Sequence, residues 1–459
     1  MKQNTSPYSH QTELFENTPI FTLLLKLALP MAIGMIINSL YTIVDAIFIA
    51  QFIGQHAFAS VSTVFPLQIC IASVAIMISN GASVLLSQTL GKNDLQKIHA
   101  VMHSATRLVL ILSLMIAFVT LVSGSSLLKT LQVPAILQHD ALTYFQVMAV
   151  GSIFVLSLSL LCDVLRSLGK MKELVFVIAV GAITNIIADY LFIVEFSWGV
   201  LGAAYASLLS QFISLILALF FLKKCHFLHY FGIKNNSKTS EILRTGLPVL
   251  IMYIGGALTM LVCNYNISHY TAGDPSTVLA AYGVIGRLNI FISLPLIAIA
   301  NACQTATAFN YGANHLVRVK SSIKYGLLIA LGYLLLITLG LFSMTENILG
   351  LFHNDAKILA TATIILTTVF LLLPLAAIGT IFTASMQATG QPGKALLFSF
   401  AKVYLLLLPL LIFLPSLGYF QSMWYIFPTV DAFMFSVVVI FVFIKYKKFA
   451  SETQMEVAK

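Results

Sequence analysis

Stretches of about twenty consecutive apolar residues, the length an α-helix needs to cross the hydrocarbon core of a bilayer, recur from Thr18 to the basic segment at Lys445. No water-soluble core accommodates so many. Composition agrees, with 59% of the 459 residues hydrophobic and 9% charged, against roughly a quarter charged in a soluble domain. The chain reads as an all-α, polytopic membrane protein. A soluble enzyme, a nucleic-acid-binding domain and a secreted disulfide scaffold are excluded.

Twelve transmembrane helices are predicted, near residues 19–53, 61–86, 100–123, 140–163, 174–195, 201–222, 245–270, 277–303, 322–343, 358–383, 396–415 and 424–444. With the N-terminus in the cytoplasm, the inner segments carry basic residues from Lys92 and Lys97 through Arg166, Lys170, Lys223, Lys234 and Arg244 to Lys445. The outer loops hold only Lys129 and Lys357. That asymmetry is the positive-inside pattern and places both termini in the cytoplasm. The net charge of +9 therefore reflects topology and not a nucleic-acid surface. The polar opening from Met1 to Asn17 lacks the features of a signal peptide. Five scattered cysteines, Cys70, Cys162, Cys225, Cys263 and Cys303, read as packing residues.

The chain also repeats itself. LKLALPMAIG at 25–34 matches LRTGLPVLIM at 243–252, which sets Pro30 on Pro248. QTLGKN at 88–93 matches FNYGAN at 309–314, and RSLGKM at 166–171 matches QATGQP at 387–392. Two pseudo-symmetric six-helix lobes follow: a tail at 1–18, an amino-terminal lobe at 19–222, a linker at 223–244, a carboxy-terminal lobe at 245–444 and a tail at 445–459. Six is even, so the lobes share orientation, with a substrate path expected between them. The first helices of the two halves should be kinkable near Pro30 and Pro248, although prolines in membrane helices also serve only to set packing angles.

Ionisable residues inside a membrane cost several kcal/mol on insertion scales and need a reason. The first span carries Asp45, with Asn38, Tyr41 and Thr42 on or beside one face. The fifth carries Asp189 with Asn185 one turn earlier, and the sixth carries Ser207. Counted from the helix ends, Asp45, Asp189 and Ser207 share one depth in the outer half of the membrane. Two carboxylates, a carboxamide and hydroxyls supply hard oxygen ligands for Na⁺, and equally a pair able to hold a proton. The alternative is that each is a satisfied polar anchor. Asp163 and Glu195 fall at span ends, where headgroups would solvate them. In the second half Arg287 and Asp431 are expected to form a structural ion pair, with Asp431 as a second ion site the competing idea.

No nucleotide-binding loop is evident, because GSSLLKT at 124–130 lacks the second glycine and falls in an outer loop. The pairs His99 and His103, and His226 and His229, are expected to be solvated loop residues rather than a metal site.

These stretches resemble the multidrug and toxic compound extrusion (MATE) transporters. LALPMAIGMIINSLYTIVDAIFIAQFIG at 27–54 is similar to that family's first helix. TNIIADYLFI at 184–193 resembles its fifth-helix motif, GVLGAAYASLLSQ at 199–211 its sixth-helix entry, and QTATAFNYGAN at 304–314 the end of its eighth helix. The resemblance covers essentially the whole chain. It implies a V-shaped pair of lobes that exchanges an extruded drug for incoming H⁺ or Na⁺. By that likeness Asp45, Asn185 and Asp189 form the amino-lobe site, and bending at Pro30 couples it to drug release. Ser207 stands where many relatives show threonine. One branch carries acidic residues in helices 7 and 10, where this chain has Cys263, Asn264, Asn266, Ser385 and Gln387. That puts a carboxy-lobe cation site in doubt and points to the DinF-like and MepA-like bacterial branch.

The expectation is therefore a monomeric antiporter of the bacterial inner membrane. It would expel lipophilic, often cationic drugs with no cofactor beyond the coupling H⁺ or Na⁺, with no ATP and no nucleic acid, and with only membrane lipids as further partners. A flippase for lipid-linked oligosaccharide and an intramembrane transferase are the alternatives.

Overall fold

The computed structural model describes residues 9–131, 133–233, 238–271, 274–352 and 355–457. Residues 1–8 of the tail and 234–237 of the linker, Lys234 included, lie outside the described residues. Among those described, every regular element is helical. Ten helices are long and apolar enough to cross a membrane, and two bent pairs bring the count to twelve when each pair is one span. In chain order these are α1 (Ile20–Phe48), α2 (Gln55–Gly91), α3 (Leu95–Thr130), α4 (Ala135–Val150 with Ser152–Ser167), α5 (Met171–Asp189) and α6 (Gly199–Lys224). The second half supplies α7 (Thr239–Tyr270), α8 (Pro275–Gly312), α9 (Leu316–Ser343), α10 (Ala356–Val369 with Leu373–Ala388), α11 (Pro392–Phe400, resuming at Leu408–Ser416) and α12 (Ile426–Val457). A short helix, Ser9–Asn17, precedes α1.

Several helices outrun the predicted apolar spans, because the backbone goes on satisfying its own hydrogen bonds after the side chains turn polar. Thus α2 begins at Gln55 and α12 runs through the basic stretch to Val457. Side chains cap some of these ends. Asp94 accepts from the Lys97 backbone N–H at 3.1 Å, and Asp274 from that of Ser276 at 3.0 Å. Hydrogen bonds from Ser276 and Thr277 hold the Asp274 carboxyl at about 2.

The sharp bends do not fall at the paired prolines. Both α1 and α7 stay helical through Pro30 and Pro248. Instead the fourth helix of each half breaks, α4 by 47° at Gly151 and α10 by 50° before Leu373. A Cβ at Gly151 would meet the end of the Leu208 side chain, which would have to turn aside. Pro374 in the first turn of the second α10 segment cannot continue the preceding helix.

The internal repeat is visible in the backbone. Gly169 and Gly390, matched in sequence, have φ of 71° and 73°, and Asn93 and Asn314 have 55° and 59°. Each pair occupies the same turn of its own lobe. Gly91 and Gly312 also match in sequence and here pack on each other's helices: a Cβ on Gly91 would lie 2.1 Å from the Phe309 carbonyl, and one on Gly312 2.0 Å from that of Gln88. Higher up, a Cβ on Gly81 would lie 2.2 Å from the Ile242 carbonyl and one on Gly246 1.9 Å from that of Met77. Glycine lets the backbones of α2, α7 and α8 touch directly. All four contacts lie toward the end of the molecule that bears the basic loops, called here the basic face.

A buried polar chain reinforces this seam. Asn80 Nδ2 donates to Gln304 Oε1 at 2.9 Å, Gln304 Nε2 to Gln387 Oε1 at 2.7 Å, and Gln387 Nε2 to the Thr245 carbonyl at 2.8 Å. Gln88 Nε2 adds a bond to the Ala388 carbonyl at 2.9 Å. Fully paired amides of this kind hold the lobes in one register, because each would be costly to bury alone. Toward the opposite face Gly256, Gly283 and Gly286 of α7 and α8 have open space where a Cβ would sit.

Candidate functional site: two carboxylates in the amino-terminal lobe

The helices α1 and α5 run side by side toward the face opposite the basic loops, and each ends in a π-helical turn, Ile49–Ile53 and Tyr190–Glu195. A π turn widens the helix by one residue and is common where helices carry functional groups. The two turns touch one another. Asp189 is the last residue of α5 before its turn, and Asp45 lies one helical turn before that of α1.

This arrangement brings the two carboxylates together. Asp45 and Asp189 lie within hydrogen-bonding reach of each other. Asp189 is fully buried and Asp45 mostly so. Neither Asp189 oxygen has a donor within the protein, nor does Oδ1 of Asp45. Asn185, also fully buried, leaves both its amide oxygen and nitrogen unpaired. Two ionised carboxylates about 4 Å apart would repel by roughly 4 kcal/mol at an effective dielectric constant of about 20. The pair therefore needs a neutralising proton or cation. Unpaired oxygens from Asp45, Asn185 and Asp189 suit either.

Around them stand aromatic hydroxyls. Tyr41 and Tyr144 both lie within electrostatic reach of the two carboxylates, and Tyr144 is within hydrogen-bonding reach of Gln68 on α2. Thr42 returns its hydroxyl to the Asn38 carbonyl at 3.0 Å, and Asn38 itself is exposed. Tyr144 and Gln68 were not singled out in the sequence, since an uncharged polar group in an apolar run carries little signal. Ser207 is half-buried on α6. Among the described residues no hydrogen bond joins its hydroxyl to either carboxylate.

The expected pairing of Arg287 with Asp431 is not what forms. Asp431 of α12 takes Lys402 of α11 as its partner, Nζ to Oδ1 at 2.7 Å, while Arg287 is exposed on α8. Both pair members are largely buried. Depth along a helix was legible, but which of two cations faces α12 depends on helix rotation. Lys402 sits in the π segment Ala401–Leu407, which alters the rotation of α11 at that point.

Asp163 is likewise no headgroup-solvated bystander. It pairs at 3.3 Å with Arg166, which is 2% exposed and donates to Ser83 Oγ at 3.1 Å. Glu195 accepts from the Tyr190 hydroxyl at 2.7 Å. His226 and His229 lie in the connection between α6 and α7, as expected, but His99 and His103 lie within α3, and the His99 ring packs on His103, His229 and Tyr230. Among the described residues no group of three or more His, Cys, Asp or Glu is arranged to hold a metal ion.

The carboxy-terminal lobe has no matching carboxylates. At the offset that pairs Pro30 with Pro248, Asp45 corresponds to Cys263, which lies beside Tyr282. Asn266 donates to the Leu411 carbonyl at 2.7 Å, and Ser385 to that of Ile381 at 2.6 Å. Gln387 belongs to the interlobe chain. These groups are occupied with structure.

Two like six-helix lobes, closed against each other at one face and carrying one buried acidic pair, define a membrane transporter. The chain belongs to the MatE family, whose sequence profile matches residues 30–191 and 248–413. Among curated relatives, the multidrug export protein MepA of Staphylococcus aureus is 28% identical over 392 residues, covering 83% of this chain and 84% of that protein. MepA of Staphylococcus saprophyticus is 26% identical over 386 residues, with the same coverage. Among solved structures, one described as the outward-facing conformation of a multidrug resistance MATE family transporter matches with a TM-score of 0.85 at 21% identity, over 95% of this chain and 98% of that one. A MATE in complex with MaL6 matches with a TM-score of 0.86 at 20% identity, over 96% and 99%. These likenesses confirm the twelve-helix, two-lobe fold.

Proposed function

We propose that this protein is a secondary antiporter of the bacterial inner membrane. It expels lipophilic, often cationic compounds in exchange for an inward proton or sodium ion bound at Asp45 and Asp189, with Asn185 as a further ligand. The observation that carries this reading is the buried acidic pair with its unpaired oxygens. The relatives named as multidrug export proteins support the substrate class. The basic face is the cytoplasmic one by the charge asymmetry of the loops, so both termini lie inside.

The cycle follows from the electrostatics. An ion entering from outside neutralises the pair and removes the roughly 4 kcal/mol of repulsion. The relaxed pair no longer attracts a cationic drug, which leaves. Bending of α1 near Pro30 transmits the change in charge to the lobe interface, and the ion is delivered inside as the lobes reverse. A lipophilic compound has an apolar surface close by, in a shallow, open groove lined by Phe154, Phe192, Trp198, Tyr205 and Phe212 beside the turn that follows Asp189. Substrate and coupling ion are the only ligands this cycle needs, and a single chain suffices.

Efflux of a cationic dye from proteoliposomes, driven by a pH gradient alone or a Na⁺ gradient alone, tests this. Wild type should respond to one gradient, and Asp189→Asn should lose at least about tenfold of the driven rate. Equal driven rates in the two proteins would remove Asp189 from coupling.

A further inference from the structure

The segment before α1 binds both lobes at once. Phe15, in the short helix Ser9–Asn17, is 1% exposed and stacks on Phe309 of α8 with ring centroids 4.8 Å apart. Arg318, at the start of α9, donates to the backbone carbonyls of Phe15 at 2.6 Å and Thr18 at 2.8 Å, while its Nε donates to Asn310 Oδ1 at 3.0 Å. Those partners belong to the carboxy-terminal lobe. On its other side the segment lies on the amino-terminal lobe: a Cβ at Gly169, in the turn between α4 and α5, would come within 2.8 Å of Leu14 and 3.4 Å of Phe15. Next to this seat run the glycine contacts of Gly91 and Gly312.

The composition of SHQTELFEN shows what it is built to bind. Its only apolar residues are Leu14 and Phe15, it has no lysine or arginine, and it carries two glutamates. A helix that lies on an anionic bilayer needs a broad apolar face and basic flanks, and this one has neither. Both of its apolar side chains meet protein. The Phe15 seat has one wall from each lobe, so it exists only while the lobes are together at the basic face.

We propose that Ser9–Thr18 is a strap that locks the lobes closed at the basic face, with Phe15 as its plug and Arg318 as its clasp, and that its release is a step in opening that face. The strap stabilises one of two arrangements and binds nothing in the other, which is the condition for shifting an equilibrium. This proposal depends on neither the coupling ion nor the drug.

The test uses the full chain in lipid nanodiscs, without substrate or gradient. Spin labels are attached at Lys172→Cys on α5 and Lys320→Cys on α9, in a background whose five native cysteines are replaced by serine. The ratio of long to short distances between the labels reports opening of the basic face. Phe15→Ala should raise that ratio about tenfold or more, the lower end of what burying one aromatic side chain supports. Arg318→Met, which removes the clasp and leaves the segment's own sequence intact, should shift it in the same direction. Leu316→Ala, an exposed position two residues from the clasp, should leave it unchanged. An unchanged ratio in both Phe15→Ala and Arg318→Met, or an equal shift in Leu316→Ala, would overturn the strap.

Discussion

The unpaired oxygens of Asp45, Asn185 and Asp189 contrast with two other carboxylates of the spans, each of which has a cation beside it. Asp163 has Arg166, and Asp431 has Lys402. A carboxylate with a tethered cation is already neutral, whereas one whose nearest ionisable neighbour is another carboxylate must take its neutraliser from solution. On the proposed reading, that difference gives coupling to the amino-terminal pair and structure to the carboxy-terminal one. It also predicts how each fails. Lys402→Met leaves Asp431 buried without a partner and should cost roughly 3 kcal/mol of stability. The double change Lys402→Met with Asp431→Leu should recover most of that loss, as read by thermal unfolding in detergent, with driven dye efflux retained. Efflux that stays abolished in a well-folded double variant would make Asp431 functional.

Sequence showed the residues of the site but not all of their neighbours. Asp45, Asn185 and Asp189 announced themselves because charge and amides are rare in apolar spans, and helical spacing put the last two on one face. Lys402 lay in a predicted span as well, yet linear distance does not say which face of α11 meets α12, and the π segment there shifts the phase. Tyr144 and Gln68 were silent because a tyrosine or glutamine in a membrane helix has many uses.

At the scale of the helices, the seam between the lobes depends on backbone touching backbone. The matched motifs around Gly91 and Gly312 were legible as a repeat, but their mutual contact was not, because self-similarity says that two segments are alike without saying that they meet. The breaks in α4 and α10 were not legible either: Gly151 is one of 26 glycines in the chain, and its contact with Leu208 exists only in three dimensions. Close packing predicts a graded response. Gly246→Ala places a methyl 1.9 Å from the Met77 carbonyl, so α7 must move away from α2, at a cost of about 1–3 kcal/mol. Gly256→Ala lies on the same helix with open space around it and should be neutral or stabilising by up to about 1 kcal/mol. Thermal midpoints of the two variants separate these outcomes, and equal destabilisation would mean that the seam is looser than the contacts indicate.

For the whole molecule, two lobes of like sequence differ at one place. The amino-terminal lobe holds the buried acidic pair at the end of α1 and α5, while at the corresponding place the carboxy-terminal lobe has Cys263 in a packed setting. Closure at the basic face through α2, α7 and α8 leaves the pair toward the opposite face, where an ion driven inward would first arrive. In the proposed cycle drug and ion alternate because they compete for one charge. The most direct measurement of that competition is to count the ions set free when a cationic dye binds the purified protein, following protons with a pH indicator in weak buffer and sodium with a selective electrode. Dye binding to wild type should release one of the two ions, and dye binding to Asp45→Asn with Asp189→Asn should release neither. Equal release from the double variant, or dye bound to wild type with no ion leaving, would contradict it.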